Sequence, residues 1–204
     1  DQQTEETEKI SKTEVAFSLI MAFVFAILLF IIAPFYLSKM IIKNHGILFN
    51  IVDGIIRILI FAIYILAISL MKDIRRVFQY HGAEHKTVHC YEANKKLTVN
   101  NVKKYTTLHP RCGTSFIIIV LIISIIVFSF ITSSKWYYKL GLRILLIPVI
   151  AGISYEVLKL AAKFKSNPIL NLINIPGLWI QKITTKEPTD KQIEVAIHSL
   201  KKVI

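Results

Sequence analysis

Cysteine and acidic side chains are both scarce in this chain of 204 residues. Two cysteines, Cys90 and Cys112, are too few for a disulfide framework, which excludes the small disulfide-stapled secreted domains. Thirteen Asp and Glu are set against 25 Lys and Arg, which leaves a formal net charge of +12. The sequence also shows no internal repeat or low-complexity tract, so a solenoid is excluded.

The opening segment, DQQTEETEKISKTE, contains no apolar run. It therefore lacks the apolar core that a secretory signal peptide needs. Five acidic residues and two lysines give it the composition of a solvated segment. We expect residues 1–14 to form a flexible acidic tail.

Charge is absent from two long stretches. Residues 15–37 and 113–134 carry no Asp, Glu, Lys or Arg over 23 and 22 residues. About 20 apolar residues are enough for a helix to cross the hydrocarbon core of a bilayer. Since 54% of the chain is hydrophobic and its mean hydropathy is +0.56, both stretches are predicted to be membrane-spanning helices.

A third apolar stretch, 50–71, carries two charges near its start. Asp53 and Arg57 lie four residues apart, so on a helix their side chains can pair and partly neutralise each other. The stretch is therefore predicted to be a second span, placed between the two charge-free ones.

The fourth stretch, 140–162, carries charges towards both ends. Arg143 and Lys159 have long side chains, which we expect to extend to the headgroups. Glu156 is shorter and lies deeper, so it is a candidate to reach a site at the membrane surface. Together the four stretches predict an all-α integral membrane protein with four transmembrane helices.

The distribution of basic residues predicts the orientation of these spans. Four spans place both termini on one side, together with the loop between spans two and three. Nineteen of the 25 Lys and Arg fall on that side and five on the other. Because basic residues concentrate in cytoplasmic loops, we predict that the tail, the loop 72–112 and the region 163–204 are cytoplasmic. The four-span membrane domain is predicted to cover 15–162 and to include this loop.

The C-terminal region contains two kinds of segment. Residues 167–185 are apolar but interrupted by Pro168, Pro176 and Gly177, so an interfacial or re-entrant segment is predicted, with Trp179 at headgroup level. The following residues predict an amphipathic helix, which begins with a capping box of Thr189 and Gln192. Its predicted apolar stripe comprises Ile193, Ala196, Ile197, Leu200 and Ile204.

Four of the six histidines and both cysteines lie between residues 81 and 112. The pentapeptide HGAEH places His81 and His85 four residues apart, on one face of a helix, where both imidazoles can bind one Zn²⁺. Glu84 completes the H-x-x-E-H order, in which a glutamate acts as the general base on a metal-bound water. We treat this match as shared chemistry, since the remainder of such a peptidase is absent.

A catalytic zinc needs a third protein ligand and keeps one position open. Cys112, His109 and Glu156 are candidates from outside the pentapeptide, and His89 and Glu92 extend its helical face. Cys90 and His89 are interpreted as structural or incidental.

Cys112 has a second reading, because it directly precedes a predicted helix. A helix N-terminus lowers the pKa of a thiol, so Cys112 is also a candidate nucleophile with a nearby histidine as its base. Free N–H groups there, with Arg111, Thr114 and Ser115, offer a place for an anionic group such as a lipid phosphate. The lysines of the loop, Lys86 among them, are most simply a solvated basic face that attracts anionic lipid headgroups.

Four phrases, RRVFQYHGAEHKTV, LHPRCGTSF, GISYE and QKITTKEPTDKQIEVAI, resemble the YqhQ-like family of bacterial integral membrane proteins of unknown function. The resemblance runs from about residue 15 to the last residue, and it implies a multi-pass protein of the bacterial plasma membrane. Members are often labelled predicted metal-dependent enzymes. The motif positions carried over are His81, Gly82, Glu84, His85, Lys86, Arg111, Cys112, Gly113, Thr114 and Glu156.

Two functions follow as hypotheses. The first is a zinc-dependent hydrolase at the cytoplasmic membrane surface, with zinc held by His81, His85 and either Cys112 or Glu156, and with Glu84 as general base. The second is a non-enzymatic assembly or scaffold factor. Its basic face would dock anionic lipid, a membrane protein or the ribosome, without sequence-specific nucleic-acid recognition. A transporter has less support, because few charges lie within the spans.

Overall fold

The computed structural model describes residues 11–43, 46–131, 136–164 and 168–204, and these residues form helices joined by short connections, with no strand among them. This confirms the predicted all-α class. Helices satisfy their own backbone hydrogen bonds, which is what a chain of this apolar composition needs inside a bilayer.

The first apolar stretch forms one nearly continuous helix. It consists of α1 (Lys12–Ile27), a π-helical segment (Leu28–Ile32) and α2 (Ala33–Ile41). Pro34 has no N–H to donate to the preceding turn, and the wider π-helical turn lies just before it. The helix begins at a capping box in which Ser11 N–H donates to Glu14 at 2.9 Å. The predicted tail is therefore wrong for residues 12–14, and residues 1–10 lie outside the described part.

Among the described residues, three helices are long and apolar enough to cross a membrane: Lys12–Ile41, α3 (Ile47–Ser69) and the part of α7 (Trp136–Lys163) that spans Gly141–Ala161. They match the predicted spans 15–37, 50–71 and 140–162. The remaining apolar helix, α6 (Gly113–Ser129), has only 17 residues, and residues 132–134 of its predicted span are not described. The count of four spans therefore stays a prediction.

The predicted cytoplasmic loop is itself largely helical. Two residues separate the end of α3 from helix α4 (Lys72–Glu92), and the single turn α5 (Val99–Val102) follows it. The last helix, α9 (Asp190–Lys201), packs against both. These three helices bury a small apolar core of Ala83, Cys90, Val102, Ile193, Ala196 and Ile197.

The C-terminal predictions are confirmed in part. Residues 168–184 form one helix, α8 (Pro168–Thr184), which contains Pro176 and packs against α6, α7 and α3. The expected interruption of this segment is therefore wrong within its described residues, and its interfacial or re-entrant placement stays a prediction. Helix α9 has the predicted capping box, since Thr189 N–H donates to Gln192 Oε1 at 2.8 Å. Its apolar stripe ends before Ile204, which is 60% exposed, because the helix ends at Lys201.

A close backbone approach joins the C-terminal segment to α4. Lys186 N–H donates to the Phe78 carbonyl at 2.9 Å. Gly82 faces the Lys186 carbonyl so closely that a Cβ at this position would collide with it. The glycine inside α4, which lowers helix propensity, is therefore explained by packing.

Candidate metal centre

His81, His85 and Cys112 come together where α4 meets the start of α6. The two histidines lie one turn apart on α4, with ring centroids 4.4 Å from each other. Cys112 is the N-cap residue of α6, and its Sγ lies 3.3 Å from His81 Nε2. One ligand atom from each of the three residues lies within 4.8 Å of the other two. The structure thus brings together three of the predicted metal ligands.

Both histidines are held by backbone carbonyls behind them. His81 Nδ1 lies 2.9 Å from the Thr184 carbonyl, and His85 Nδ1 lies 2.5 Å from the Thr107 carbonyl. A carbonyl only accepts, so each Nδ1 carries the proton and donates it. Each Nε2 is therefore on the side of Cys112, where it can donate a hydrogen bond to the sulfur when protonated or offer its lone pair to a metal when neutral. This is the arrangement in which metal-binding histidines usually occur.

The thiol of Cys112 is converted into a good ligand by its neighbours. Burial alone raises its pKa, but hydrogen bonds from His81, His85 and Thr114 outweigh burial and lower the pKa to about 5. Thr114 Oγ1 lies 2.8 Å from the sulfur. The hydrogen bond to Cys112 in turn raises the pKa of His81, against the effect of burial. At neutral pH Cys112 is therefore a thiolate, which is the form that binds metals.

The donor set fits a zinc ion with one open position. Zinc takes nitrogen and sulfur ligands in tetrahedral geometry, and catalytic sites use three protein ligands. Two imidazoles and one thiolate supply three ligands, and the set carries one negative charge. Soft thiolate ligands do not suit Mg²⁺ or Ca²⁺.

A second group, His89, Glu92 and His109, lies beside the first. The ring centroids of His109 and His89 are 4.5 Å apart, and those of His109 and His85 are 5.7 Å apart. Burial and the neighbouring His89 lower the pKa of His109 to about 4, so His109 is neutral. Its Nε2 lies 3.4 Å from Glu92, which pairs instead with Arg111.

This second group fits a metal less well than the first. His109 Nδ1 accepts a hydrogen bond from the Arg111 N–H at 3.1 Å, which places the ring proton on Nε2. His89 Nε2 donates to the Leu108 carbonyl at 2.8 Å. Because His109 Nε2 carries a proton, it has no lone pair for a metal unless the Arg111 hydrogen bond is lost. The group is better described as a polar network that supports the first one.

Gln181 of α8 fixes the chain that approaches Cys112. Its side chain is fully buried; it accepts from the His109 N–H at 2.8 Å and donates to the His109 carbonyl at 2.8 Å. It also donates to Ser115 Oγ at 2.7 Å. Gly177, one turn earlier, packs against Ser115 so closely that no Cβ fits there. The start of α6 is thereby held against α8.

The remaining predicted site residues lie in several environments. Glu84 is exposed on α4 and belongs to neither group of ligands. Glu156 is exposed on α7, 3.6 Å from Lys159, and is not brought to the cluster. Lys86 is buried, with its Nζ 2.8 Å from Glu187, so it is not part of a solvated face.

Two residues set aside in the sequence analysis have clear places. His89 lines the polar network, where it stacks on Tyr105 with an interplanar angle of 10°. Its spacing of four residues from His85 was the sequence feature that could have placed it on the same helical face as the metal-binding histidines. Cys90 is fully buried in the apolar core, and burial raises the pKa of its thiol, which agrees with a structural role. The role of Gln181 in the site was not predicted. Its position as an amide within an apolar stretch was the sequence feature that could have indicated a buried hydrogen-bonding role.

The apolar helices and the polar centre at one end of them define an all-helical protein with the character of a membrane protein. The chain belongs to the family described as protein of unknown function (DUF1385), which matches residues 1–204. It is 38% identical over 187 residues to the uncharacterized protein YqhQ of Bacillus subtilis (strain 168). That alignment covers 91% of this chain and 59% of the relative, so the chain spans about three fifths of that relative's length. The predicted family is confirmed, and no solved structure matches the chain.

Proposed function

We propose that this protein is a zinc-dependent hydrolase that works at the membrane surface. His81, His85 and Cys112 hold the metal. The observation that carries this proposal is the orientation of the two histidines. Each donates Nδ1–H to a backbone carbonyl, which leaves Nε2 beside the Cys112 thiolate and available to a metal once it carries no proton.

Zinc in such a site lowers the pKa of a bound water and makes it a nucleophile near neutral pH. The Thr184 and Thr107 carbonyls orient the two histidine ligands. The Cys112 thiolate would neutralise part of the positive charge of the metal. Glu84 follows the H-x-x-E-H order and is proposed as the proton acceptor, reached from the exposed side of α4. Thr114 Oγ1 stays near the sulfur and holds Cys112 in position.

Metal analysis of the purified protein tests this proposal. We expect about one zinc per chain, lost in His85→Ala and Cys112→Ala. His198→Ala, a change at an exposed histidine of α9, is the matched control and should retain the metal. Replacement by Co²⁺ should give a thiolate-to-cobalt absorption band that disappears in Cys112→Ser. Wild-type protein that takes up no zinc even after reconstitution would exclude the mechanism.

A cysteine nucleophile is the second candidate function. The 3.3 Å separation of Cys112 Sγ from His81 Nε2, with a thiol pKa of about 5, is the geometry of a thiolate–imidazolium pair. A chelator separates the two candidates, because removal of metal abolishes a zinc hydrolase and leaves a cysteine nucleophile active. Alkylation of Cys112 in metal-free protein, blocked by added zinc, would show that both chemistries use the same sulfur.

The orientation proposed for the protein is a multi-pass arrangement in the bacterial plasma membrane with both termini and the metal centre in the cytoplasm. The excess of basic residues on that side supports it. Lys104→Cys and Lys39→Cys each place a thiol at an exposed position, and the proposed orientation puts them on opposite sides of the membrane. An impermeant maleimide should label Lys39→Cys in intact cells and Lys104→Cys only after permeabilisation. The same basic side is proposed to meet anionic lipid headgroups.

A further inference from the structure

A polar cavity lies between the apolar helices α3, α6 and α7, apart from the metal centre. Its polar lining comes from Asn50, Asp53 and Arg57 of α3, Ser124 of α6 and Arg143 of α7. It leaves about 20 Å³ in which the centre of a water-sized sphere can move. A cavity needs roughly 10–15 Å³ by this measure to hold one water, so there is room for one small species.

Three polar atoms at this cavity are buried and have no hydrogen-bond partner in the part of the chain that the structure describes. They are Asp53 Oδ1, Arg57 Nε and Arg143 Nε. Asp53 is well enclosed, with only 9% of its side chain exposed. Its other oxygen pairs with Arg57 Nη2 at 2.9 Å. Unsatisfied buried groups are costly, and charged ones more so.

The charges around the cavity do not cancel. Within the described lining, two guanidinium groups and one carboxylate, that of Asp53, give a net charge of +1. Arg143 also lies 5.3 Å from the centre of the Phe128 ring, a cation–π contact that compensates only partly. Arg57 keeps 23% of its side chain exposed and Arg143 is half-buried, so this positive charge is partly enclosed, which is costly among apolar helices. Arg143 thus lines this cavity, and its extension to the headgroups stays a prediction.

We propose that this cavity binds a small monovalent anion, of the size of chloride, between Arg57 and Arg143. The anion accepts hydrogen bonds from the two Nε–H groups and brings the net charge of the site to zero, whereas Asp53 Oδ1, itself an acceptor, gains no partner from it. A water molecule can accept from an Nε–H group and donate to Asp53 Oδ1, but it leaves the net charge in place. The available space favours a single-atom anion over a tetrahedral oxyanion. The bound anion joins α3 to α7 and so stabilises the membrane helices.

Thermal unfolding of the detergent-purified protein tests the proposal. Chloride or bromide replaces gluconate at constant ionic strength. We expect the unfolding midpoint to rise with halide in a saturable way, by about 5–10 °C at a hundredfold excess over the dissociation constant. Arg143→Gln should remove this dependence. Arg76→Gln, at an exposed position of α4, is the matched control and should keep it.

Asp53→Asn gives a test with an opposite sign, which stays informative when Arg143→Gln yields no folded protein. Removal of the carboxylate raises the net charge of the site to +2, so the halide concentration for half of the effect should fall at least severalfold. Equal midpoints in halide and gluconate for both wild type and Asp53→Asn would show a water-filled cavity and overturn the proposal. Stabilisation by an anionic phospholipid, but by neither halide, would also overturn it, because the anion would then be a lipid phosphate.

Discussion

Replacing Gln181 by Leu should loosen the metal centre without touching any of its ligands. Gln181 satisfies the N–H and the carbonyl of His109 and the hydroxyl of Ser115, all at 2.7–2.8 Å and all buried. Leucine has a similar size but makes none of these hydrogen bonds. A buried backbone group left without a partner costs about 1–3 kcal/mol, so the two groups of His109 together predict a loss of about 2–6 kcal/mol. Ser115 Oγ loses only the donor that Gln181 supplies and is left out of this sum.

The loss is measurable as a change in the free energy of unfolding in mixed micelles, together with the zinc dissociation constant. Lys182→Leu, at the exposed neighbouring position, is the matched control and should change stability by less than about 0.5 kcal/mol. We also expect zinc to bind more weakly in Gln181→Leu, because residues 109–112 carry Cys112 to the site. A change of stability in Gln181→Leu no larger than in the control would refute the view that this amide holds the approach to Cys112.

Three other predictions concern the same region. Gly82→Ala should lower the free energy of unfolding by about 1–3 kcal/mol, because the new Cβ meets the Lys186 carbonyl. The control Gly152→Ala, at a helical position with open space, should be neutral or slightly stabilising in the same assay. Similar effects of the two changes would contradict the close contact at Gly82. In metal-free protein, the rate of Cys112 alkylation should rise with pH around a midpoint of about 5, because the thiolate is the reactive form. Cys90 should stay unreactive until the protein unfolds. A midpoint near 8–9 for Cys112 would refute the stabilised thiolate. Glu156→Gln should keep its zinc, since Glu156 lies outside both ligand groups, and loss of metal in this variant would restore it as a ligand.

The parts of the site that depend on local spacing could be predicted from the sequence. His81 and His85 share a helical face because they are four residues apart, and Cys112 caps α6 because an uninterrupted apolar run begins directly after it. The capping box at Thr189 is also a local pattern.

The parts that depend on long-range contacts could not be predicted. Thr184 lies 103 residues from the histidine whose ring it fixes, and Gln181 lies 72 residues from His109. Glu156 was placed at the site from its depth in α7, but depth does not decide on which side of a helix a residue lies. The exposed position of Glu84 depends in the same way on how α4 is rotated against its neighbours. Lys86 was assigned to solvent by its charge, and Glu187 compensates its burial.

The hydrogen bond from His81 to Thr184 has a consequence for biosynthesis. Helices α6 and α7 lie between the two residues in the chain, so both must be made and placed before His81 acquires its partner. Until then α4 presents its histidines without Thr184 to fix the tautomer of His81. For the zinc site proposed above, we therefore expect stable metal binding to follow assembly of the helices, because only then does Thr184 orient His81.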